Sequence, residues 1–437
     1  MELLSFFVWL NEYVFAIPTT ILFMGVALFL TIKTRFAQIR SIPRFISLVR
    51  HGVKTQHPET KKLKSLNAFH ALFTAMGTTM GMGNVVGPSI AIFTGGPGAL
   101  FWLVFYIFLG SAIKFTEVVF ALITRQTASD GTISGGPMFY LKKVSPILAY
   151  WYGVMMPLVL ANWSGLQANT FASLLAQENI PLYISGFMIA AFLAFMMWSG
   201  ARHIAALAST LVPFMFVLYV SVALITLFSN PVSLCNALLL IKESIFNPSA
   251  ITGGFFGATL FHAMHAGLYQ GIFISEAGLG TSSIPHAMAN TDRPTDQGIL
   301  AMCSTASDML LCTLSGLLVL TTGVWQTGDF RSTFIYEAFS MNAPAFAQYV
   351  LLASLALFII TTIMGNGFNG VQMFNALTNR RWTKLYIAFL VLTVFAGALV
   401  SVPLVWEITK TIIAIVAIPN LIGILILAIR YPQALKV

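Results

Sequence analysis

Two apolar segments of the sequence are rich in glycine. Residues 71–93 read ALFTAMGTTMGMGNVVGPSIAIF and residues 261–283 read FHAMHAGLYQGIFISEAGLGTSS. Glycine and proline disfavour an uninterrupted helix. A broken helix offers backbone N–H groups that suit a carboxylate and carbonyls that suit a small cation. The predicted chemistry is therefore reversible binding of a solute and an ion. The residues concerned are Gly77, Gly81, Gly83, Gly87 and Pro88, and Gly267, Gly271, Gly278 and Gly280.

The glycine spacing also fits close helix packing, because small residues at four-residue intervals let two helices touch. The string Gly81-Met82-Gly83-Asn84 is not a dinucleotide fingerprint, since no strand precedes it and the third glycine is missing from the required position.

The composition places most of the chain in lipid. Of 437 residues, 57% are hydrophobic and 8% are charged, with a mean hydropathy of +0.84. A soluble domain carries roughly 25% charged residues. Since a transmembrane helix needs about 20 apolar residues, we predict an all-α membrane protein with eleven spans, and surface positions for the shorter stretches 231–248 and 332–341. The predicted spans are 12–32, 67–94, 98–124, 144–176, 182–199, 203–228, 250–286, 296–322, 345–374, 384–401 and 403–430.

The net charge of +9 is concentrated in alternate loops. Basic residues favour the cytoplasmic side, so this pattern predicts an external N-terminus and a cytoplasmic C-terminus in a plasma membrane, the bacterial inner membrane. No nucleic acid is needed to explain the charge. Nineteen of the 23 basic residues fall on the predicted inner side: Lys33, Arg35, Arg40, Arg44, Arg50, Lys54, Lys61, Lys62, Lys64, Arg125, Lys142, Lys143, Arg202, Arg293, Arg380, Arg381, Lys384, Arg430 and Lys436.

The two glycine-rich spans are the second and the seventh. Each opens a set of five, and an odd number of spans makes the two sets oppositely oriented. Interrupted spans at matching places of inverted halves indicate the binding site of a transporter. We therefore expect a peripheral first helix with a basic segment (1–65) and two inverted repeats (66–248 and 249–437). One chain holds both repeats, so it is expected to function as a monomer.

Several motifs resemble those of the alanine or glycine:cation symporters, in the amino acid–polyamine–organocation superfamily. Residues 79–87 (TMGMGNVVG) are similar to that family's Thr-Val-Gly-x-Gly-Asn-Ile-x-Gly, and 95–99 (GGPGA) and Phe101-Trp102 follow as they do there. Further similar blocks are 135–140 (GGPMFY), 167–170 (QANT), 271–280 (GIFISEAGLG), Gln297-Gly298 and Asp308.

This resemblance implies a leucine-transporter-like fold, with a five-plus-five core and two broken helices, and secondary symport of a small neutral amino acid with Na⁺ by alternating access. It implies no cofactor beyond the coupling ion. Substrate contacts are expected from Thr79, Gly81, Gly83, Gln167, Phe273, Ser275 and Asn366. Sodium contacts are expected from Gly77, Met80, Asn84, Thr361 and Thr362, and coupling or gating from Glu276 and Asp308.

The chain departs from the family pattern at three places. Gln270 replaces a usual arginine, Ser275 lies in a changed Ser-Asn-Glu-Ala-Gly motif, and residues 365–370 read GNGFNG in place of Gly-Trp-Ser-Tyr-Tyr-Gly. The alternative expectation is therefore an H⁺-coupled symporter of a different or larger polar amino acid.

The polar residues of the spans each have a simpler alternative. Asn84 either joins the broken helix or contacts the cation, and Gln167 either contacts the substrate or bonds helix to helix. The hydroxyls of Thr361 and Thr362 can instead bond their own helix. Glu276 either anchors the unwound segment or carries a proton, and Asp308 is either cation-linked or a buried strut.

Three remaining sets of residues are expected to be structural. Lys114 with Glu117, and Glu407 with Lys410, have the spacing of local helix-surface pairs. His262 and His265 lack further metal ligands and are predicted to cap and pack. The cysteines Cys235, Cys303 and Cys312 have no metal-ligand spacing. Without a nucleophile–base or metal constellation or a P-loop, an enzyme or a nucleotide-driven pump is not expected, and nothing resembles the selectivity filter of a channel.

Overall fold

The computed structural model describes residues 2–53, 65–127, 131–245, 260–326, 334–342 and 345–436. Within these ranges the regular structure is helical apart from one two-stranded hairpin and an isolated bridge between Leu66 and Ala289, which confirms the predicted helical class. Seven of the described helices are long and apolar enough to cross a membrane. They are Leu3–Lys33, Gly98–Thr124, Leu182–Ser199, His203–Phe228, Pro294–Thr322, Ala347–Thr378 and Pro403–Arg430.

The part of the chain up to residue 245 forms α1 (Glu2–Trp9), a π-helical turn (Leu10–Phe15), α2 (Ala16–Lys33), α3 (Ala37–Arg40), α4 (Ile42–His51), α5 (Ala68–Thr79), α6 (Met82–Gly95), α7 (Gly98–Thr124), β1 (Gln126–Thr127), β2 (Ile133–Ser134), α8 (Pro137–Leu141), α9 (Pro146–Gln177), α10 (Leu182–Ser199), α11 (Ala201–Phe228) and α12 (Pro231–Ser244). Strands β1 and β2 pair antiparallel, with Gln126 opposite Ser134.

The part from residue 260 onwards forms α13 (Leu260–Ser275), α14 (Ser283–Ala287), α15 (Pro294–Thr322), a 3₁₀ turn (Val324–Gln326), α16 (Phe334–Asn342), α17 (Ala345–Thr378), α18 (Thr383–Leu399), α19 (Val402–Arg430) and a second 3₁₀ turn (Pro432–Leu435). The following predicted features lie outside the described residues: the start of the span 250–286, the ends of the stretches at 246–248 and 332–333, and Lys54, Lys61, Lys62 and Lys64 of the basic loop.

Several helices begin where the sequence supplies a cap. The side chain of Asn67 accepts a hydrogen bond from Phe69 N at 2.9 Å, and that of Ser145 accepts one from Ile147 N at 3.2 Å. Helices α9, α12 and α15 also begin with a proline, whose missing N–H costs nothing in the first turn. These local signals explain why most helix bounds lie within a few residues of the predicted spans.

The predicted span 67–94 is two helices, as its glycines indicate. Helix α5 ends at Thr79 and α6 begins at Met82. Between them Met80 has φ −81° and ψ 81°, and Gly81 is extended with φ −131° and ψ −162°. Both residues are buried, so the first predicted helix break lies inside the protein.

The second break follows two of the four glycines in its segment. Helix α13 runs without interruption to Ser275, and the chain then turns through Glu276 (φ +56°), Gly278 (φ +94°) and Gly280 (φ +79°). Gly267 and Gly271 therefore lie in the continuous part of α13. A side chain at Gly267 would overlap the backbone of Ala99, as the packing alternative predicts.

Helices at corresponding positions of the two predicted repeats pack against each other. Helix α6 packs on α13, α7 on α15, α9 on α17 and α10 on α18. Helix α7 lies at the centre of this arrangement and is buried along most of its length. A hydrogen bond of 3.4 Å from Thr78 in α5 to Glu276 joins the segments on either side of the core, so the two breaks face a shared interior.

Candidate functional site

The first helix break brings four predicted site residues together: Met80, Gly81, Gln167 and Thr362. Thr362 Oγ1 donates to the carbonyl of Met80 at 3.2 Å, and Met82 N donates to Gln167 Oε1 at 3.0 Å. A Cβ added at Gly81 would lie 2.6 Å from Thr362 Oγ1 and 3.2 Å from both side-chain amide atoms of Gln167. The carbonyl of Met80, the hydroxyl of Thr362 and the N–H group at the start of α6 thus lie close together.

Asn84 links this break to α15. Its Oδ1 accepts a hydrogen bond from Gly81 N at 3.2 Å, so it reaches back over the first turn of α6. Its Nδ2 donates to Asp308 Oδ1 at 2.9 Å. Asp308 is fully buried, and its Oδ2 has no hydrogen-bond partner among the described residues. Asn84 therefore joins the broken helix together, and Asp308 presents a carboxylate oxygen beside it.

Aromatic rings cover the N-terminal turn of α6. A Cβ at Gly83 would lie 2.9 Å from Phe273 Cε1, so the Phe273 ring rests directly on that glycine. The ring lies between Trp163 and Trp406, with centroid distances of 4.9 and 5.0 Å. The sequence predicted Phe273 as a wall of the site, while both tryptophans were missed.

Helix α17 presents neighbouring polar residues to the breaks. The hydroxyl of Thr361 donates to the carbonyls of Leu357 and Phe358 in its own helix, at 2.9 and 3.0 Å. One turn beyond Thr362, Asn366 is fully buried, and neither its Oδ1 nor its Nδ2 has a partner among the described residues. An unpaired buried amide is costly, so Asn366 is a candidate for contact with a bound polar solute.

Glu276 organises the second break. Its Oε2 accepts hydrogen bonds from Thr281, within the turn, and from Thr78 Oγ1 in α5 at 3.4 Å. Ser275 Oγ donates to the carbonyl of Gly271 at 2.7 Å within its own helix. The carboxylate of Glu276 therefore ties the unwound segment to the other broken helix.

Two further predicted site residues lie along α5. Thr79 is buried, and its hydroxyl donates to the carbonyl of Met76 at 3.3 Å. Gly77 packs against α17, where an added Cβ would lie 3.6 Å from the carbonyl oxygen of Thr361. All the predicted site residues are buried, so the described residues enclose the site in this conformation.

The prediction of a local Lys114–Glu117 surface pair is wrong. Both side chains are fully buried. Lys114 Nζ donates to Ser304 Oγ at 2.9 Å, while Glu117 Oε1 accepts from Gly278 N at 3.1 Å and from Asn420 Nδ2 at 2.9 Å. Glu117 therefore holds the second break from the α7 side, a role that its spacing in the sequence does not reveal.

The other two predicted pairs behave as expected. Lys410 Nζ lies 2.5 Å from Glu407 Oε1, three residues apart on α19. His262 Nε2 lies 3.1 Å from the carbonyl of Thr94, and His265 Nδ1 lies 2.6 Å from Thr20 Oγ1. Both imidazoles therefore join α13 to neighbouring helices.

With this geometry in place, similarity to known proteins is informative. Residues 1–437 match the profile of the Sodium:alanine symporter family. The chain belongs to this family. Among its members, the sodium/alanine symporter AgcS of Methanococcus maripaludis is 32% identical over 445 residues, which cover 98% of this chain and 95% of AgcS. An uncharacterized transporter of Haemophilus influenzae is 32% identical, with 95% of this chain and 92% of that protein covered.

A more distant relative is named for another solute. The probable sodium/glutamine symporter GlnT of Bacillus subtilis is 28% identical, covering 98% of this chain and 88% of GlnT. The family is one of transporters, so this sodium:alanine symporter family member is a multi-pass membrane transport protein and not an enzyme. The resemblance that the sequence motifs indicated is thereby confirmed.

The fold agrees with this membership. A solved structure of a Na⁺-coupled sialic acid symporter superposes with a TM-score of 0.55, at 11% identity, over 92% of this chain and 83% of that one. At this identity the likeness concerns architecture alone. It supports the leucine-transporter-like class expected for this family member.

Sequence reasoning missed the residues that hold the second break from a distance. The hydroxyls of Tyr106 and Tyr152 donate to the carbonyls of Ala277 and Leu279, at 3.3 and 2.6 Å. Asn420 bonds both Glu117 and the carbonyl of Gly278. Glu117 and Asn420 are polar residues within apolar spans, a recognised sign of function or helix pairing, but only the fold shows that they meet.

Proposed function

We propose that the protein is a secondary symporter that couples uptake of a small neutral amino acid, such as alanine or glycine, to Na⁺ by alternating access. The observation that carries this proposal is the break at Met80–Gly81, where Thr362 and Gln167 converge from two other helices. Membership of a family with named sodium/alanine and sodium/glutamine symporters supports the same function.

The substrate carboxylate is assigned to the N-terminal turn of α6. Unwound backbone at Gly81 and Gly83 leaves N–H groups at the positive end of the helix dipole. When substrate binds, the side-chain amide of Gln167 releases Met82 N and bonds the substrate instead. Phe273 and Asn366 contact the side chain of the substrate. Thr79 and Ser275 complete the proposed substrate contacts from the two broken helices.

The sodium ion is assigned to the opposite side of the same break. Carbonyls of Gly77 and Met80, and the hydroxyls of Thr361 and Thr362, supply the oxygen ligands that a hard cation prefers. Asn84 and Asp308 lie beside this position, and their hydrogen bond transmits ion binding to α15. Glu276 and Asp308 are proposed to control coupling or gating.

The proposed topology has eleven spans and two inverted repeats of five, behind a peripheral first helix. Packing of matched helices supports this division, because α6, α7, α9 and α10 each contact their counterpart in the second repeat. A single chain therefore carries the whole site and functions as a monomer, with its N-terminus outside the cytoplasmic membrane.

A second function is favoured by the buried acids. Glu117, Glu276 and Asp308 are buried, and each interacts electrostatically with the buried ammonium of Lys114. Charges removed from water are costly unless paired, so a proton is an alternative coupling ion. The unpaired amide of Asn366 favours a larger polar amino acid as the substrate of such an H⁺-coupled symporter.

Uptake by proteoliposomes distinguishes the two functions. With radiolabelled L-alanine and L-glutamine as probes, an inward Na⁺ gradient at equal pH should drive accumulation above the equilibrium level, and removing that gradient should abolish it. Accumulation driven by a pH gradient in the absence of Na⁺ would instead establish proton coupling. Absence of accumulation of every neutral amino acid under both gradients would overturn the proposed function.

A further inference from the structure

A short helical segment, α3 and α4, follows the first membrane-spanning helix. The span Leu3–Lys33 ends with α2, and α3 begins four residues later. Between them, Arg35 and Phe36 have φ values of +55° and +57°, and Phe36 N donates to the carbonyl of Thr31 at 2.8 Å. Left-handed backbone after the last turn ends a helix, so α3 and α4 turn away from α2 where it leaves the membrane.

One side of this segment is fixed to the protein. Helix α3 packs on α7, and α4 packs on α15. The guanidinium group of Arg44 donates to both carboxylate oxygens of Asp296, at 2.9 and 2.6 Å. A bidentate pair of this kind sets orientation as well as contact. The residues that face the protein recur at helical spacing: Ala37, Ser41, Arg44 and Leu48.

The opposite side of the segment exposes a row of apolar residues, here called the apolar stripe. With about 3.6 residues per helical turn, these positions lie on the far side from the residues that face the protein. They are between 43% and 55% exposed. The apolar stripe consists of Ile39, Ile42, Ile46 and Val49. Exposed apolar residues that lie side by side mark an interaction surface with a membrane or a protein.

The charges beside the apolar stripe are positive. Arg35, Arg40 and Arg50 are exposed, and no ion pair joins their guanidinium groups to another described residue. The sequence contains no Asp or Glu between Glu12 and Glu59, so no acid within the segment neutralises these arginines. An apolar helix face with basic residues beside it, directly after a membrane span, is typical of segments that bind anionic lipid.

The chemistry of this surface argues against two other occupants. The next residues along the chain, 54–64, read KTQHPETKKLK and include one large apolar residue, Leu63. Their sequence therefore offers too little apolar area to cover the apolar stripe. A second copy of this chain would bring the same arginines into contact with each other, and like charges repel. A bilayer that contains anionic lipid matches both the apolar stripe and the positive charge.

We propose that α3 and α4 form a binding surface for anionic phospholipid in the inner leaflet of the membrane. The apolar stripe enters the boundary between the headgroups and the acyl chains, and Arg35, Arg40 and Arg50 bind lipid phosphates. Attraction between these charges and the lipid falls off within a Debye length, about 10 Å at 0.1 M salt. The enriched lipids are therefore those next to the segment. The choice of leaflet rests on the proposed orientation, whereas the binding itself does not.

Quenching by spin-labelled lipids tests this surface in the full-length protein. In a chain whose native cysteines are replaced by serine, Ile46→Cys is labelled with the fluorophore NBD. The protein is reconstituted into nanodiscs of phosphatidylcholine and phosphatidylglycerol, with an acyl-chain doxyl group on one lipid class or the other at equal mole fraction. Both doxyl lipids should quench NBD. Doxyl-phosphatidylglycerol should quench roughly twofold more strongly, because the arginines enrich it locally.

Removing the three arginine charges tests the role given to them. In Arg35→Gln/Arg40→Gln/Arg50→Gln, the two doxyl lipids should quench NBD at position 46 equally, while quenching by doxyl-phosphatidylcholine persists through the apolar stripe. Persistence of the preference for doxyl-phosphatidylglycerol in this variant would overturn the assignment of the lipid phosphates to these arginines.

Two controls separate local binding from general effects of charge and of lipid contact. Lys142, Lys143 and Arg381 are exposed elsewhere, and replacing all three with glutamine should preserve the preference at position 46. Ile225, on α11, is 51% exposed, and no Lys or Arg occurs from 203 to 241. NBD on Ile225→Cys should therefore be quenched equally by the two lipids.

The outcomes distinguish lipid from other partners of the surface. Absence of quenching at Ile46→Cys by either lipid would overturn the proposal: blue-shifted NBD emission would then mean that protein covers the apolar stripe, and emission typical of water would mean that nothing covers it. Equal quenching by both lipids with the arginines in place would overturn the binding of anionic lipid. Val49→Cys provides a second reporter on the same stripe, and size-exclusion profiles identify any variant that fails to fold. None of these measurements depends on transport, so they test this surface separately from symport.

Discussion

Gly81 has no room for a side chain, although its backbone angles are open to other residues. Its φ of −131° is ordinary extended backbone. An added Cβ would lie 2.6 Å from Thr362 Oγ1. Overpacking of this kind costs about 1–3 kcal/mol, and here it falls on groups proposed to bind substrate and ion. Gly81→Ala should therefore reduce Na⁺-driven uptake by about tenfold or more, as ~1.4 kcal/mol corresponds to each tenfold.

The control for Gly81→Ala is Gly25→Ala. Gly25 lies in α2 with nothing within 4 Å of an added Cβ, so this variant should transport at the wild-type rate. Initial uptake rates in proteoliposomes, normalised to incorporated protein, measure both variants. Wild-type uptake by Gly81→Ala would show that the first break does not contact the substrate.

The two adjacent threonines of α17 differ in what their hydroxyls contact. Thr362 bonds the carbonyl of Met80 across the break, whereas Thr361 bonds carbonyls of its own helix. Replacing Thr362 with valine should therefore raise the Na⁺ concentration for half-maximal uptake by about tenfold, the effect of losing roughly 1.4 kcal/mol of ion binding. Thr361→Val should raise it less.

The measurement is the Na⁺ dependence of initial uptake at saturating amino acid, with ionic strength held constant by choline chloride. Valine keeps the shape of threonine and removes only the hydroxyl. An equal increase for both variants would indicate that Thr361 rotates away from its helix when the ion binds. An unchanged Na⁺ dependence in Thr362→Val would contradict the proposed ion position.

At the scale of elements, the turn between α13 and α14 depends on left-handed glycines. Gly280 has φ +79°, and a Cβ there would overlap the ring of Pro137. Gly96, between α6 and α7, has a similar φ of +77° but nothing within 4 Å. Both Gly→Ala variants incur the cost of a positive φ, about 1–3 kcal/mol, and only Gly280→Ala adds overpacking.

Gly280→Ala should accordingly melt at a lower temperature than Gly96→Ala in the same detergent, and both should melt below the wild type. Thermal unfolding followed by size-exclusion chromatography or by tryptophan fluorescence measures the difference. Equal melting temperatures for the two variants would mean that α8, which contains Pro137, moves aside, and that the turn is held less tightly than its contacts indicate.

The sequence predicts these elements better than it predicts their interruptions. The length of the apolar runs placed the long helices correctly, because the need to span the lipid acts on each segment locally. The glycines alone do not locate the second break, because glycine permits a break and equally permits close packing, and Gly267 and Gly271 pack on α7 within a continuous helix. Glu117 was misassigned for a related reason: its neighbour along the helix was Lys114, but its partners come from positions 278 and 420, far away in the sequence.

At the scale of the whole molecule, the packing of matched helices divides the core into two groups that can move relative to each other. Helices α6 and α13 carry the proposed site and pack on each other, while α9, α10, α17 and α18 form a second connected group. Gln167 and Thr362 belong to that second group and contact the first break. Relative rotation of the two groups would therefore open the site at one membrane face while keeping it closed at the other.

The proposed orientation of the protein in the membrane can be tested at two glutamine positions. Gln177 ends α9 and Gln433 follows α19, and both are exposed. The basic loops predict that Gln177 lies outside and Gln433 inside. After the native cysteines Cys235, Cys303 and Cys312 are replaced by serine, a membrane-impermeant maleimide added to intact cells should label Gln177→Cys. It should label Gln433→Cys only after the cells are permeabilised.

This orientation also bears on the cavity lined by Asn11, Gln270, Glu407 and Lys410. With the N-terminus outside, as proposed, this cavity would face the external medium. The reverse labelling pattern, Gln433→Cys in intact cells and Gln177→Cys only after permeabilisation, would turn the cavity towards the cytoplasm. It would then lie on the exit side of the transport path, and the basic loops would lie outside the cell.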